Sequence, residues 1–118
     1  MSLVDEKSNL YDYDLERAIL SALINNEEAF GEISHMITSD DFHLQGHKEI
    51  YQAIISCVNN NEPIGLAFIK KYLGSRYNEQ ILVDIIATGS LIDTPCYAKE
   101  LREKSIRREL MKIAHKIP

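Results

Sequence analysis

The sequence predicts an all-α fold, a small globular bundle of about four helices followed by a two-helix antiparallel hairpin. Three observations carry this. Apolar residues recur at i, i+3 and i+4 through most of the chain. Capping residues and breakers fall between those runs, where helices start and stop. No stretch alternates apolar and polar residues in the way a half-buried strand does. At 118 residues the chain is the size of one domain.

Residues 1–11 are polar and aperiodic and are expected to be disordered. Asp12 then stands as an N-cap before Asp14 and Glu16, first-turn acids that suit the positive end of a helix. Leu15, Ile19, Leu20, Leu23 and Ile24 form its apolar stripe, and Asn25-Asn26 end it. A second short helix is expected from about Glu27 to Met36, with Phe30, Ile33 and Ile37 on one side. Ser39-Asp40-Asp41 reads as a turn and capping cluster before Phe42. The next helix, about Gln45 to Asn60, places His47, Ile50, Tyr51, Ile54 and Val58 on its buried face. A fourth, about Leu66 to Leu73, turns Ile69 and Leu73 inward and stops at Gly74. These elements make residues 12–77 a globular head.

Residues 78–118 are expected to form the hairpin. Its first helix, about Asn78 to Thr88, is apolar over most of its circumference and closes at Gly89. Thr94-Pro95 then reads as an N-cap followed by proline at the first helical position. The last helix is uninterrupted from Cys96 to Pro118. Its apolar residues change face: Tyr97, Ala98 and Leu101 centre on one side, while Ile106, Leu110, Ile113 and Ile117 centre roughly opposite. One body does not easily cover both sides of a straight helix. The expected arrangement packs the first half on the preceding helix and the second half against another copy, with Ile81 and Ile85 as companions. The alternative is a continuation of the chain that covers the second face.

Charge is divided along the chain. Residues 1–98 hold 6 Lys/Arg against 15 Asp/Glu, net −9, and residues 99–118 hold 7 against 3, net +4, which together give the overall −5. The acidic body is a poor surface for DNA phosphates. Arg108, Lys112 and Lys116 share one stripe of the last helix, read as a solvated cationic face that suits the helix C-terminus. A free-standing nucleic-acid-binding domain using that stripe is the alternative functional reading.

Catalytic and cofactor chemistry find little support. Neither GxxxxGK[ST] nor GxGxxG occurs, so neither ATP nor a dinucleotide is expected to bind by those routes. Cys57 and Cys96 form no CxxC pair, which points to a reduced, cytoplasmic protein. No apolar run approaches the roughly 20 residues that span a bilayer. His43 and His47 are four apart without the Glu of HExxH. His47 is read as a core histidine bonded to a carbonyl, and Asp40-Asp41 as caps. No catalytic, metal or cofactor-binding residue is expected. The core is expected to hold Leu15, Ile19, Leu23, Phe42, His47, Ile50, Tyr51, Ile54, Tyr97 and Leu101.

With the helices placed, the residues resemble a known family. Leu15-Glu16-x-x-Ile19-Leu20-x-x-Leu23, Asp40-Asp41-Phe42, His47-x-x-Ile50-Tyr51 and Pro63-Ile64-x-Leu66 follow in an order similar to the N-terminal domain of the DnaB-type bacterial replicative DNA helicase. The most specific stretch is Tyr97-Ala98-x-x-Leu101-Arg102-Glu103-Lys104-x-x-Arg107-Arg108-x-Leu110. The resemblance implies a helical head and a hairpin that pairs with a neighbouring subunit. Six such domains would form a collar, a trimer of dimers, that receives the C-terminal helicase-binding domain of primase. It also implies that ATP and Mg belong to a C-terminal motor absent from these residues, where the full-length protein would unwind duplex DNA at the replication fork. No direct DNA or membrane contact is implied for this part. Three positions depart from the family pattern. Gly65 replaces the usual Asp after Pro-Ile, Ser75-Arg76-Tyr77-Asn78 replace a glycine-rich turn, and the first helix looks one residue shorter at Asn25-Asn26.

Overall fold

The structure, a computed structural model, describes residues 10–89 and 91–116. Among the described residues there are six α-helices and no strand: α1 Tyr13–Asn25, α2 Glu28–Ile33, α3 Gln45–Asn59, α4 Leu66–Leu73, α5 Glu79–Thr88 and α6 Thr94–Lys116. Two 3-10 turns, Ser39–Asp41 and Gly74–Arg76, punctuate them. Most of the segment 1–11, together with Ile117 and Pro118, lies outside the described residues.

Helix α1 is the central element. The Asp12 carboxylate accepts from the Leu15 N–H at 3.1 Å, satisfying one of the free donors of the first turn. Burial extends well beyond the stripe read from spacing, because α2, α3, α5 and α6 all pack on α1. Ile19, Leu20 and Leu23 have no exposed surface. Phe42 and Tyr51 join this core with ring centroids 5.2 Å apart, beside Ile50, Ile54 and Leu101. Tyr97 packs against the cluster from its edge.

Several local expectations change. Helix α2 stops at Ile33, and a turn then carries the chain inward to Ile37. On α3 the buried face runs through Cys57, while Val58 is exposed. That phase follows from α4, which packs on α3 beside Ile69 and Leu73. At the start of α6 the cap is Asp93, whose Oδ1 accepts from the Cys96 N–H at 3.1 Å. Thr94 and Pro95 are therefore the first two helical residues; neither proline's missing N–H nor its fixed φ disturbs a first turn.

Helix α5 does not stand apart with α6. Leu82 and Ile85 are buried in the same cluster as α1, and so are Ala98 and Leu101 of α6. The first half of α6 packs on α1, α2 and the Ser39–Asp41 turn, in place of the expected packing on the preceding helix. Gly46 at the start of α3 makes room for Ile81, since a Cβ there would stand 2.5 Å from the Ile81 Cδ1 methyl. Gly89 ends α5 in the left-handed region at φ 45°, ψ 51°, where a side chain would be strained.

Candidate subunit interface on the last helix

Helix α6 is 23 residues, roughly 34 Å at 1.5 Å per residue. Its two halves are held differently. Ala98 and Leu101 are buried against the core, and Lys104 and Ser105 continue that buried side. The long Lys104 stem lies in the packing while its Nζ reaches Glu100 at 3.6 Å. From Ile106 onward most of the helix surface is open.

Two arginines fix the angle at which that open half leaves the body. Arg102 Nη1 donates to the buried Asp41 carboxylate at 2.8 Å. Arg108 Nη2 donates to the Asp41 carbonyl oxygen at 2.7 Å, and its Nη1 to the Leu10 carbonyl at 2.7 Å. Arg108 is thus half-buried and part of the structure, which corrects its reading as one member of a solvated cationic stripe. Lys112 remains exposed and pairs with Glu109 at 3.2 Å. Two of the arginine donations go to backbone carbonyls, which carry two lone pairs each and accept a charged donor readily.

The turn that the arginines grip is itself braced. Asp41 Oδ2 accepts from the Thr38 N–H at 2.8 Å, so one carboxylate both shapes its own turn and anchors α6. Beside it lies the most buried polar pair. Glu16, with no exposed surface, accepts from the backbone N–H of His43 at 2.8 Å and from Nδ1 of His47 at 2.7 Å. A more distant Leu44 N–H lies at 3.4 Å. Leu44, the N-cap of α3, supplies no side-chain acceptor; Glu16 instead holds the chain leading into α3 and, through His47, the helix's first turn. His47 therefore bonds a carboxylate and not the carbonyl expected. His43 stacks on Tyr11 with ring centroids 4.5 Å apart and meets the Tyr13 hydroxyl at 2.8 Å. Burial first, then the nearby Arg108 charge, push the His43 pKa down from its ordinary value.

The expected interface residues separate. Ile106, Leu110 and Ile113 lie together on the open half of α6, about half exposed at 43%, 58% and 55%. Ile117 lies outside the described residues. Ile85 is fully buried and offers no surface to a partner, while Ile81 is partly buried with its Cδ1 methyl turned to Gly46. The exposed apolar residues of α5 are Val83 and Ile86, and Met111 joins the open half of α6. Spacing alone did not reveal them: a helix apolar over most of its circumference has only a weak phase until its neighbours are placed.

Among the described residues no group of three or more His, Cys, Asp or Glu side chains could hold a metal ion. Among those residues no helix is long and apolar enough to cross a membrane.

The comparisons with known proteins agree on one family. Residues 8–103 match the model of the DnaB-like helicase N terminal domain. The replicative DNA helicase DnaB of Nostoc sp. is 28% identical over 113 residues, covering 88% of this chain and 13% of that protein. The replicative DNA helicase DnaC of Bacillus subtilis is 26% identical over 122 residues, covering 95% of this chain and 26% of that protein. The chain therefore spans about a quarter or less of these relatives. Two solved structures share the fold. The N-terminal domain of DnaB helicase from Mycobacterium tuberculosis superposes with TM-score 0.83 at 20% identity, over 91% of this chain and 83% of that one. The corresponding domain from Helicobacter pylori, whose structure was determined with its interactions with primase, gives TM-score 0.87 at 22% identity, over 99% and 95%. With helix order, fold and sequence match in agreement, the chain belongs to the DnaB-like helicase N-terminal domain family.

Proposed function

We propose that these residues are the assembly and partner-docking part of a replicative DNA helicase. The open half of α6 pairs subunits through Ile106, Leu110 and Ile113, building toward a hexameric collar, a trimer of dimers. The collar receives the C-terminal helicase-binding domain of primase, coupling primer synthesis to unwinding. The whole protein works at the replication fork in the cytoplasm, and its ATP- and Mg-dependent unwinding belongs to a motor beyond these residues. This part binds and positions; it performs no chemistry and holds no cofactor.

The observation that carries the proposal is the contrast within α6. Two arginines and a buried stripe fix the helix firmly, yet three aliphatic side chains at i, i+4 and i+7 are left open to solvent. Burying the exposed half of each contributes roughly 0.7–1.5 kcal/mol, less the cost of ordering two copies. The reported interaction of the Helicobacter pylori domain with primase supports the docking half of the reading.

The test is size-exclusion chromatography with light scattering over a wide concentration range, on the unaltered chain and on Leu110→Asp. A mass that rises to a dimer or beyond, lost in the variant with helix content unchanged by circular dichroism, is the expected outcome. An unfolded Leu110→Asp would assign Leu110 to the single-chain core and remove the interface. Calorimetry with the primase C-terminal domain then tests docking separately.

A further inference from the structure

A second surface lies away from α6. Between the start of α2 and the loop that joins α3 to α4 is an open cleft of about 580 Å³. Its apolar wall includes Phe30, Val58 and Ile64, and its carboxylates are Glu27, Glu28 and Glu62. No Lys or Arg lines it, and neither α5 nor α6 contributes a lining residue.

The cleft is braced in its present shape. Glu27 Oε1 accepts from the Ile64 N–H at 2.9 Å, tying the two walls together across the gap. Glu62 is fixed from outside by Lys71 at 2.7 Å and by the Tyr72 hydroxyl. Those two hydrogen bonds hold its carboxyl below the ordinary carboxylate range, so it stays anionic at neutral pH. Glu28 makes no ion pair among the described residues and is exposed at the mouth.

We propose that this cleft docks a basic linear segment of a partner protein. One aliphatic side chain rests against Phe30, Val58 and Ile64, and flanking lysines or arginines face Glu27, Glu28 and Glu62. Charge complementarity selects this occupant. Glu27 and Glu28 have no cation beside them and Glu62 is only partly offset by Lys71, so the cleft keeps a net negative charge that repels a phosphate backbone and attracts ammonium or guanidinium groups. The apolar wall then supplies what an ion pair in water does not, since exposed pairs alone contribute little. A volume of this size suits one or two side chains of an extended peptide. Because two of the three carboxylates are already fixed, little order is lost on binding.

Fluorescence anisotropy on the whole chain tests this, using as probe a fluorescein-labelled nonapeptide of three Lys-Lys-Leu repeats at low salt. Saturable binding is expected, weakened by about tenfold or more in Glu28→Lys and in Gly31→Leu. A Cβ at Gly31 meets nothing within 4 Å, so the leucine is accommodated by the fold and fills the cleft mouth. Circular dichroism verifies both variants. Glu79→Lys, an exposed carboxylate on α5, is expected to leave binding unchanged. Equal losses from Glu28→Lys and Glu79→Lys would reduce the effect to general attraction by an acidic body and overturn the proposal. So would binding insensitive to Gly31→Leu, or no saturation at millimolar peptide. Loss of self-association in Glu28→Lys, with tight cleft binding by a peptide of residues 99–118, would make the occupant a second copy and equally overturn it.

Discussion

Arg102 and Asp41 are 61 residues apart in the chain and meet at 2.8 Å, with the carboxylate buried and the guanidinium half in solvent. The same carboxylate accepts from the Thr38 N–H, and the same residue's carbonyl accepts from Arg108. A single aspartate therefore joins a local turn to a helix from the far end of the sequence. The two ends of the arrangement are unequal. Asp41 has nowhere else to place its charge, whereas Arg102 has water on its open side.

Truncating the two partners should cost different amounts. Arg102→Ala is expected to destabilise by about 1 kcal/mol, because Asp41 keeps its backbone donor. Asp41→Ala leaves the Thr38 N–H without its acceptor, removes the arginine's anchor and opens a gap, and is expected to cost about 2–4 kcal/mol. Urea unfolding of both variants measures the difference. Equal losses would show that the ion pair and not the turn carries the stability.

Glu16 is the more demanding position. Glu16→Ala strips the acceptor from the part-buried His43 N–H and from the buried His47 Nδ1, at an expected cost of about 3–5 kcal/mol. His47→Ala leaves the carboxylate with its backbone donor and is expected to cost less. Thermal unfolding followed by circular dichroism ranks them, and hydrogen exchange should show the start of α3 opening first in Glu16→Ala.

Gly65 offers a gain. It caps α4 with extended backbone at φ −135°, ψ 162°, without a side-chain acceptor, and a Cβ there meets nothing within 4 Å. Gly65→Asp supplies the acceptor and restricts the unfolded chain, for an expected stabilisation of roughly 0.5–1 kcal/mol. A rise in the urea midpoint at unchanged slope verifies it.

His43 makes stability depend on pH in a stated direction. Its folded pKa is depressed below the ordinary 6.5 by burial and by Arg108. The unfolded chain takes up this proton more readily, so the contribution is complete above pH 6.5 and is lost as the pH falls through the folded value. A proton NMR titration should place the His43 midpoint under 6.5, and Arg108→Ala should raise it. A midpoint at or above 6.5 in the unaltered chain would contradict the packing of Tyr11 and Tyr13 around the ring.

Legibility in the sequence followed the range of the interaction. Asp12, Gly74 and Gly89 mark helix ends through local chemistry, and all three stand where that chemistry puts them. Glu16 looked like an ordinary first-turn acid, because its true partners lie 27 to 31 residues away and leave no mark on its neighbours. Arg108 misled for the same reason. On α5, Glu79, Gln80, Asp84 and Thr88 mark a polar side that includes Val83 and lies opposite Ile85, a weak signal beside a helix apolar over most of its circumference. The change of face along α6 was readable, because Leu101 and Leu110 lie on one helix and its geometry relates them directly.

The anchoring of α6 has a mechanical consequence. Beyond Arg108 the helix continues for eight residues, a rigid arm of about 12 Å. Its pivot is gripped by two carbonyl oxygens, one at the entry to α1 and one in the turn before α3. A tilt of about 10° at that pivot displaces the tip by roughly 2 Å, by the same rise per residue. Any load on the arm is delivered to those two points, so a pull at the rim of this molecule is felt first at the entrance of its most buried helix.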